Sequence, residues 1–303
     1  MNGLIILNKP LKMSSHDAVN KVRKILKIKK VGHTGTLDPL ATGVLIICIG
    51  DATKLSRYLT TDTKEYRAKI TLGFSTKTYD LEGEIVEQLK DFEISDEEID
   101  ETIESFIGKS KQLPPIYSAI KVDGKKLYEY ALKNQEVEIE PREIEVYDAK
   151  RASKITRENG KVTFEVDFNV SKGTYIRSIA NDFGKKIGIP SVLSGLERVE
   201  CSGFLIKDAI NFEDLEKGNY TLHNMCDAIG NIYQIKNDNE LIKKAQNGMK
   251  ISYRYIRDNY GTTPERIAVI IESVSDKKLL AIYVKDYSEV TKTNYYKAET
   301  VWN

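Results

Sequence analysis

One stretch constrains this chain more than any other: Gly32-His33-Thr34-Gly35-Thr36-Leu37-Asp38-Pro39-Leu40-Ala41-Thr42-Gly43, polar, punctuated by glycine and carrying one carboxylate. Before it, Ala18, Val19, Val22, Ile25 and Leu26 recur at helical spacing while Lys21, Lys24 and Lys27 face away, and either Ser14 or Ser15 can cap the helix. After it, Val44-Leu45-Ile46-Ile47-Cys48-Ile49 is an apolar run bounded by Gly43 and Gly50, the pattern of a buried strand. Asp38 is therefore predicted to hang between two anchored elements. The glycines permit positive φ or close approach of another backbone, and Pro39 pushes Asp38 towards an extended conformation. Such a carboxylate suits a nucleophile or base, although Asp before Pro also serves simply to start a turn.

The rest of the chain alternates strands and helices. Leu4 to Leu7 reads as an opening strand that runs into the turn signal Asn8-Lys9-Pro10. Tyr66, Ala68, Ile70 and Leu72 alternate with Arg67, Lys69 and Thr71 as a half-buried strand, and Val162 to Val170 is the clearest strand of all. Between them, a polar loop passes through Asp80 and Gly83, and Ser95 with Glu98 forms a capping box. The helix it opens has a core stripe of Ile99, Ile103, Phe106 and Ile107 and ends at Gly108. Thr174 can cap a helix carrying Ile176, Ile179, Ala180 and Phe183, with Arg177 in its first turn. A cation is unfavourable at a helix N-terminus, so Arg177 is expected to have a carboxylate partner, and Asp38 is the one chosen.

Leu113 to Asn134 interleaves Tyr117, Tyr128 and Tyr130 with Lys121, Lys125 and Lys126, a composition that suits unpaired bases and phosphates as well as ordinary packing. From Asn211 towards Asn239 the texture is acidic and polar. Beyond it, a short helix at Leu241 to Asn247 and strand-like runs at Ile251 to Ile256, Ile267 to Ile271, Leu279 to Val284 and near the C-terminus suggest a small β-rich domain.

Bulk properties narrow the classes. A chain of 303 residues with 41% hydrophobic content can bury one large core and a small appended domain. No apolar run reaches membrane-span length, and the N-terminus lacks a signal-like pattern, so cytoplasmic residence is expected. Cys48, Cys201 and Cys226 are scattered, and only His16, His33 and His223 are available, so neither a disulfide framework nor a metal site is indicated. The net charge is +1, but basic residues cluster from Lys21 to Lys30 and acidic ones from Glu82 to Glu104. A surface so polarised can bind RNA phosphates on one side.

At Gly32 to Gly43 the chain resembles the active-site motif of the TruB family of tRNA pseudouridine synthases, which isomerise U55 in the TΨC loop. Further blocks follow in the family's order: Asn8-Lys9-Pro10; Lys64-Glu65-Tyr66-Arg67; Leu113 to Ala119 with Gly124 to Tyr128; Ser171 to Arg177; and Leu196-Glu197-Arg198. The resemblance implies an α+β (mixed α/β) fold with a catalytic domain around a largely antiparallel sheet over 1–210 and an RNA-clasping insertion at about 112–140. A connector over 211–239 and a small PUA-like RNA-binding domain over 240–303 would follow. It implies Asp38 as catalytic aspartate, Arg177 as its partner, and Tyr66 packing against the flipped base, where it assists proton removal from C5. Tyr175 and Leu196 would line the nucleotide pocket, His33 would contact the flipped RNA, and Lys9 would support the pocket from beneath.

Breaking the N-glycosidic bond, turning the base and rejoining it through C5 needs no outside atoms, so no cofactor is expected. The partner implied is tRNA through its T-arm, with no protein partner or membrane, and the protein is expected to be a monomer. The main alternative is a non-catalytic tRNA-binding protein or folding chaperone of the same fold. A hydrolase built on Asp38 and His33 finds no nucleophile elbow. A guide-RNA-dependent relative is a subtler rival, against which the short N-terminus and the missing lysine-rich tail point to a stand-alone enzyme.

Overall fold

Period-two alternation builds the main sheet: Tyr66, Ala68, Ile70 and Leu72 are buried while Arg67 and Lys69 are exposed, and Val162, Phe164, Val166, Phe168 and Val170 are buried in turn. The computed structural model describes residues 1–59, 63–133, 135–274 and 276–302. Asn134, the last residue of the tyrosine and lysine stretch, lies outside the described residues.

The sheet's principal strands are β1 (Gly3–Lys9), β2 (Val31–Thr34), β3 (Ala41–Ile49), β4 (Lys64–Leu72), β5 (Gly108–Gln112), β6 (Arg142–Arg151), β7 (Lys161–Val170) and β8 (Ser191–Cys201). Their order is β1-β3-β8-β4-β7-β6-β5, and β2 lies along β3. All of these neighbours are antiparallel except β3 with β8, which gives the expected largely antiparallel sheet.

Helices α1 (Ser15–Leu26), α2 (Asp96–Glu104) and α3 (Ile176–Ile187) supply the other layer. Ser14, not Ser15, caps α1 and forms a capping box with Asp17, whereas Ser15 is buried. The Ser95–Glu98 box opens α2 as expected. Ile107 does not join the core: α2 stops at Glu104, Ile107 is 48% exposed, and Gly108 opens β5. Thr174 does not cap α3 either. Tyr175 takes that position in an extended conformation without a side-chain cap bond.

The C-terminal region forms a second sheet from β9 (Tyr233–Lys236), β10 (Ile251–Ser252), β11 (Arg266–Glu272), β12 (Lys277–Ser288) and β13 (Thr293–Val301), in the order β9-β11-β12-β13-β10. Helices α4 (Asn239–Gln246) and α5 (Tyr253–Tyr260) accompany it. Strand β9, which lies in the stretch expected as connector, pairs in parallel with β11. The expected strand at 251–256 is only two residues long before α5 begins, because Tyr253, Ile256 and Tyr260 also fit a helical stripe and Gly261 closes it in a left-handed conformation. One apolar cluster joins the two sheets: Leu4, Ile6, Val44 and Ile46 pack with Ala268, Ile270, Leu279, Ile282 and Trp302.

Candidate active site

The loop that carries Asp38 occupies the place where β3 changes partners. Along one edge β3 pairs with β2 at Ile46 to Ile49, then with β8 at Ala41 to Gly43. The chain between Thr34 and Ala41 must leave the sheet, and it is tied at several points. Ser15 Oγ donates to Leu37 O at 3.0 Å and accepts from Leu37 N–H at 2.8 Å, fastening the loop to the start of α1. Lys12 N–H donates to Pro39 O at 2.8 Å, and Ala41 N–H donates to Asp38 O at 3.0 Å. Gly43 has φ +101°, and a Cβ there would lie 2.3 Å from Arg198 O, so glycine alone lets β3 and β8 meet.

Arg177 joins three segments. Its Nε pairs with Asp38 Oδ2 at 3.0 Å, as the sequence predicts. Its Nη1 donates to Asp80 Oδ2 at 3.2 Å and Thr78 O at 3.4 Å, and its Nη2 donates to Tyr117 O at 3.0 Å. The Arg177 and Asp80 side chains are 7% and 3% exposed, but that of Asp38 is 38% exposed. Asp80 is thus a functional candidate that sequence reasoning placed merely in a polar loop. Its Oδ1 accepts from Thr78 Oγ1 and from Glu82 N–H, which leaves Oδ2 for the guanidinium. No local pattern marks it, because the cation that buries it lies 97 positions away.

Between these groups is a cleft of about 260 Å³ lined by Asp38, Tyr66, Tyr175, Arg177, Leu196 and Arg198, with Lys64, Ser118, Lys172 and Thr174 also on its wall. Five of the expected site residues therefore converge. Tyr66 is buried, which pushes its phenol pKa up, while the Arg198 charge works the other way. Burial also raises the pKa of Tyr175, and Gln112 fixes its backbone: Oε1 accepts from Tyr175 N–H at 2.8 Å and Nε2 donates to Tyr175 O at 3.0 Å.

His33 and Lys9 do not line the cleft. His33 stands on β2 opposite Ile47, with a buried Nδ1 that has no hydrogen-bond partner, and burial lowers its pKa. Lys9 is fully buried beneath the loop and donates to Pro10 O at 2.9 Å and Met13 O at 2.6 Å. Desolvation brings its ammonium down to about 8, against the pull of Asp38. Among the described residues, no group of three or more His, Cys, Asp or Glu is placed to hold a metal ion. Among the described residues, no helix is long and apolar enough to cross a membrane.

The site is thus an accessible carboxylate against a buried guanidinium, in a cleft at the place where β3 changes partners. The family model described as TruB family pseudouridylate synthase (N terminal domain) matches residues 23–176. The chain is 42% identical to tRNA pseudouridine synthase B of Bacillus pumilus, over 98% of this chain and 96% of that protein. It is 49% identical to tRNA pseudouridine synthase B of Ligilactobacillus salivarius, over 72% of this chain and 73% of that one. Its fold matches a chain in a Cbf5-Nop10-Gar1 complex with a TM-score of 0.69 at 21% identity, covering 99% of this chain and 84% of that one. The chain belongs to the TruB family.

Proposed function

We propose that the protein isomerises uridine to pseudouridine in tRNA, at position 55 of the TΨC loop, on a base flipped into the cleft beside Asp38. The observation that carries this reading is the Asp38–Arg177 pair, an accessible carboxylate against a buried cation within a cleft of 260 Å³. That space is smaller than the roughly 300–1,000 Å³ of drug-sized sites and suits a single base. Family membership and the names of the relatives support tRNA as substrate and isomerisation as the reaction.

Asp38 is the catalytic carboxylate, and Arg177, paired with it at 3.0 Å, aims it. Tyr66 packs on the extruded base, offsetting the few kcal/mol that extrusion costs. Tyr175 and Leu196 form the walls, Lys9 supports the loop from below, and His33 meets RNA beyond the cleft. Residues 1–210, with the insertion at 112–140, are the catalytic domain; 211–239 connect it to a PUA-like RNA-binding domain over 240–303. The enzyme works as a cytoplasmic monomer on the T-arm without a protein partner. The non-catalytic alternative is disfavoured because Asp38, Tyr66 and Arg177 converge on one cleft. Carbodiimide mapping of treated transcripts tests the target: a new modification confined to position 55, in whole tRNA and in an isolated T-arm hairpin, is expected. Modification elsewhere, or none in the hairpin, would overturn the T-arm assignment.

A further inference from the structure

Arg198 heads the large side chains that are fully buried, and no role described above uses its charge. A guanidinium placed in such surroundings needs its donors met. Nε donates to Val44 O at 2.7 Å and Nη2 to Gly35 O at 2.9 Å, but Nη1 is buried with no hydrogen-bond partner. Register explains how the side chain comes to lie there. Lys9 pairs with Gly43, Gly43 with Arg198, and Arg198 with Tyr66, giving one row across β1, β3, β8 and β4. A Cβ on Gly35 would stand 3.3 Å from Nη1, so the spare donor lies directly behind the Asp38 loop.

We propose that Arg198 is a positioning residue, clamping the Asp38 loop through Gly35 and Val44 while its spare Nη1–H engages the Tyr66 oxygen and turns the phenolic hydrogen towards the cleft. With one lone pair of that oxygen facing a permanent cation, Tyr66 meets the substrate as a donor. When its proton passes to a substrate acceptor, the phenoxide left behind rests against the guanidinium, and it takes the proton that leaves C5, which restores the phenol. The charged or titratable groups facing Tyr66 agree with this division: Arg198 stabilises the ionised form, while Cys201 on β8 and Asp38 in the loop oppose it. Lys64 lines the same cleft, and Lys9 faces Arg198 and Asp38 from the end of the row.

The inference rests on the reading of the cleft as a uridine-isomerising site. Single-turnover pseudouridine formation is measured from about pH 6 to 10 for the native chain, Arg198→Met, Arg198→Lys, Tyr66→Phe and the Arg198→Met/Tyr66→Phe double variant. Arg198→Met is expected to slow the step by about 10²-fold, but by less than about twofold once Tyr66 is already Phe. Arg198→Lys, which keeps the charge, should slow the step less. A loss of equal size with and without Tyr66 would make Arg198 a mere loop support and overturn the proposal. Tyrosinate absorbance, taken as the difference from Tyr66→Phe, reads the same coupling without activity. Tyr66 ionisation should move to higher pH in Arg198→Met, or in Arg198→Lys by a smaller amount should the methionine variant fail to fold. An unmoved ionisation would contradict the proposal. No pseudouridine from the native chain would instead sink the functional reading, leaving the absorbance titration to judge Arg198.

Discussion

Arg177 holds two carboxylates of unequal standing. Asp80 is buried and fully engaged, so it fixes geometry, whereas Asp38 is accessible and remains free to meet a substrate. Asp80→Ala should lower the unfolding free energy by about 1–3 kcal/mol, because a buried guanidinium donor loses its acceptor, and should slow turnover as Arg177 shifts. Urea unfolding and a turnover assay check both; native values in each would contradict the hub. Lys9 gives a pH signature. Its folded pKa of about 8 lies below its ordinary 10.5, so between those values the unfolded chain holds more of the proton. Stability from this group is therefore least below about pH 8 and rises as the pH climbs through that window. The stability of the native chain minus that of Lys9→Met should increase over that range, and a flat difference would contradict the burial argument.

At the scale of elements, the site depends on where β3 exchanges β2 for β8. Gly43→Ala should cost about 1–3 kcal/mol of backbone strain before its clash with Arg198 O is counted, and should loosen the Asp38 loop. A lowered urea midpoint with an unchanged slope would register this; an unchanged midpoint would contradict it. The loop itself was legible from sequence because its flanking helix and apolar strand are marked by strong periodicity, and Arg177 betrayed its partner by standing at a helix N-terminus. Asp80 was not, since its burial comes from residues remote in sequence. Residues 253–256 were misread because Ile251, Tyr253 and Tyr255 alternate like a strand while Tyr253, Ile256 and Tyr260 repeat like a helix. Ile107 was misassigned because the helix ended three residues before it, releasing it from the core stripe.

For the whole molecule, the second sheet is built into the first. Trp302 Nε1 donates to Asp51 O at 3.0 Å, Tyr58 and Thr300 share a hydroxyl bond at 2.7 Å, and the joint apolar cluster spans both sheets. Removing residues 240–303 should expose that surface and lower the melting temperature of the remaining chain by several degrees or cause aggregation. A truncated chain that melts like the full one would contradict the shared core. The central claim, that Asp38 drives uridine isomerisation in tRNA, is tested most directly by tritium release from tRNA transcripts labelled at uridine C5. Release by the native chain, abolished in Asp38→Asn while tRNA binding stays within a few-fold of native, and absent when U55 alone is replaced by C, is the predicted result. Undiminished release by Asp38→Asn, or no release by the native chain despite bound tRNA, would contradict it.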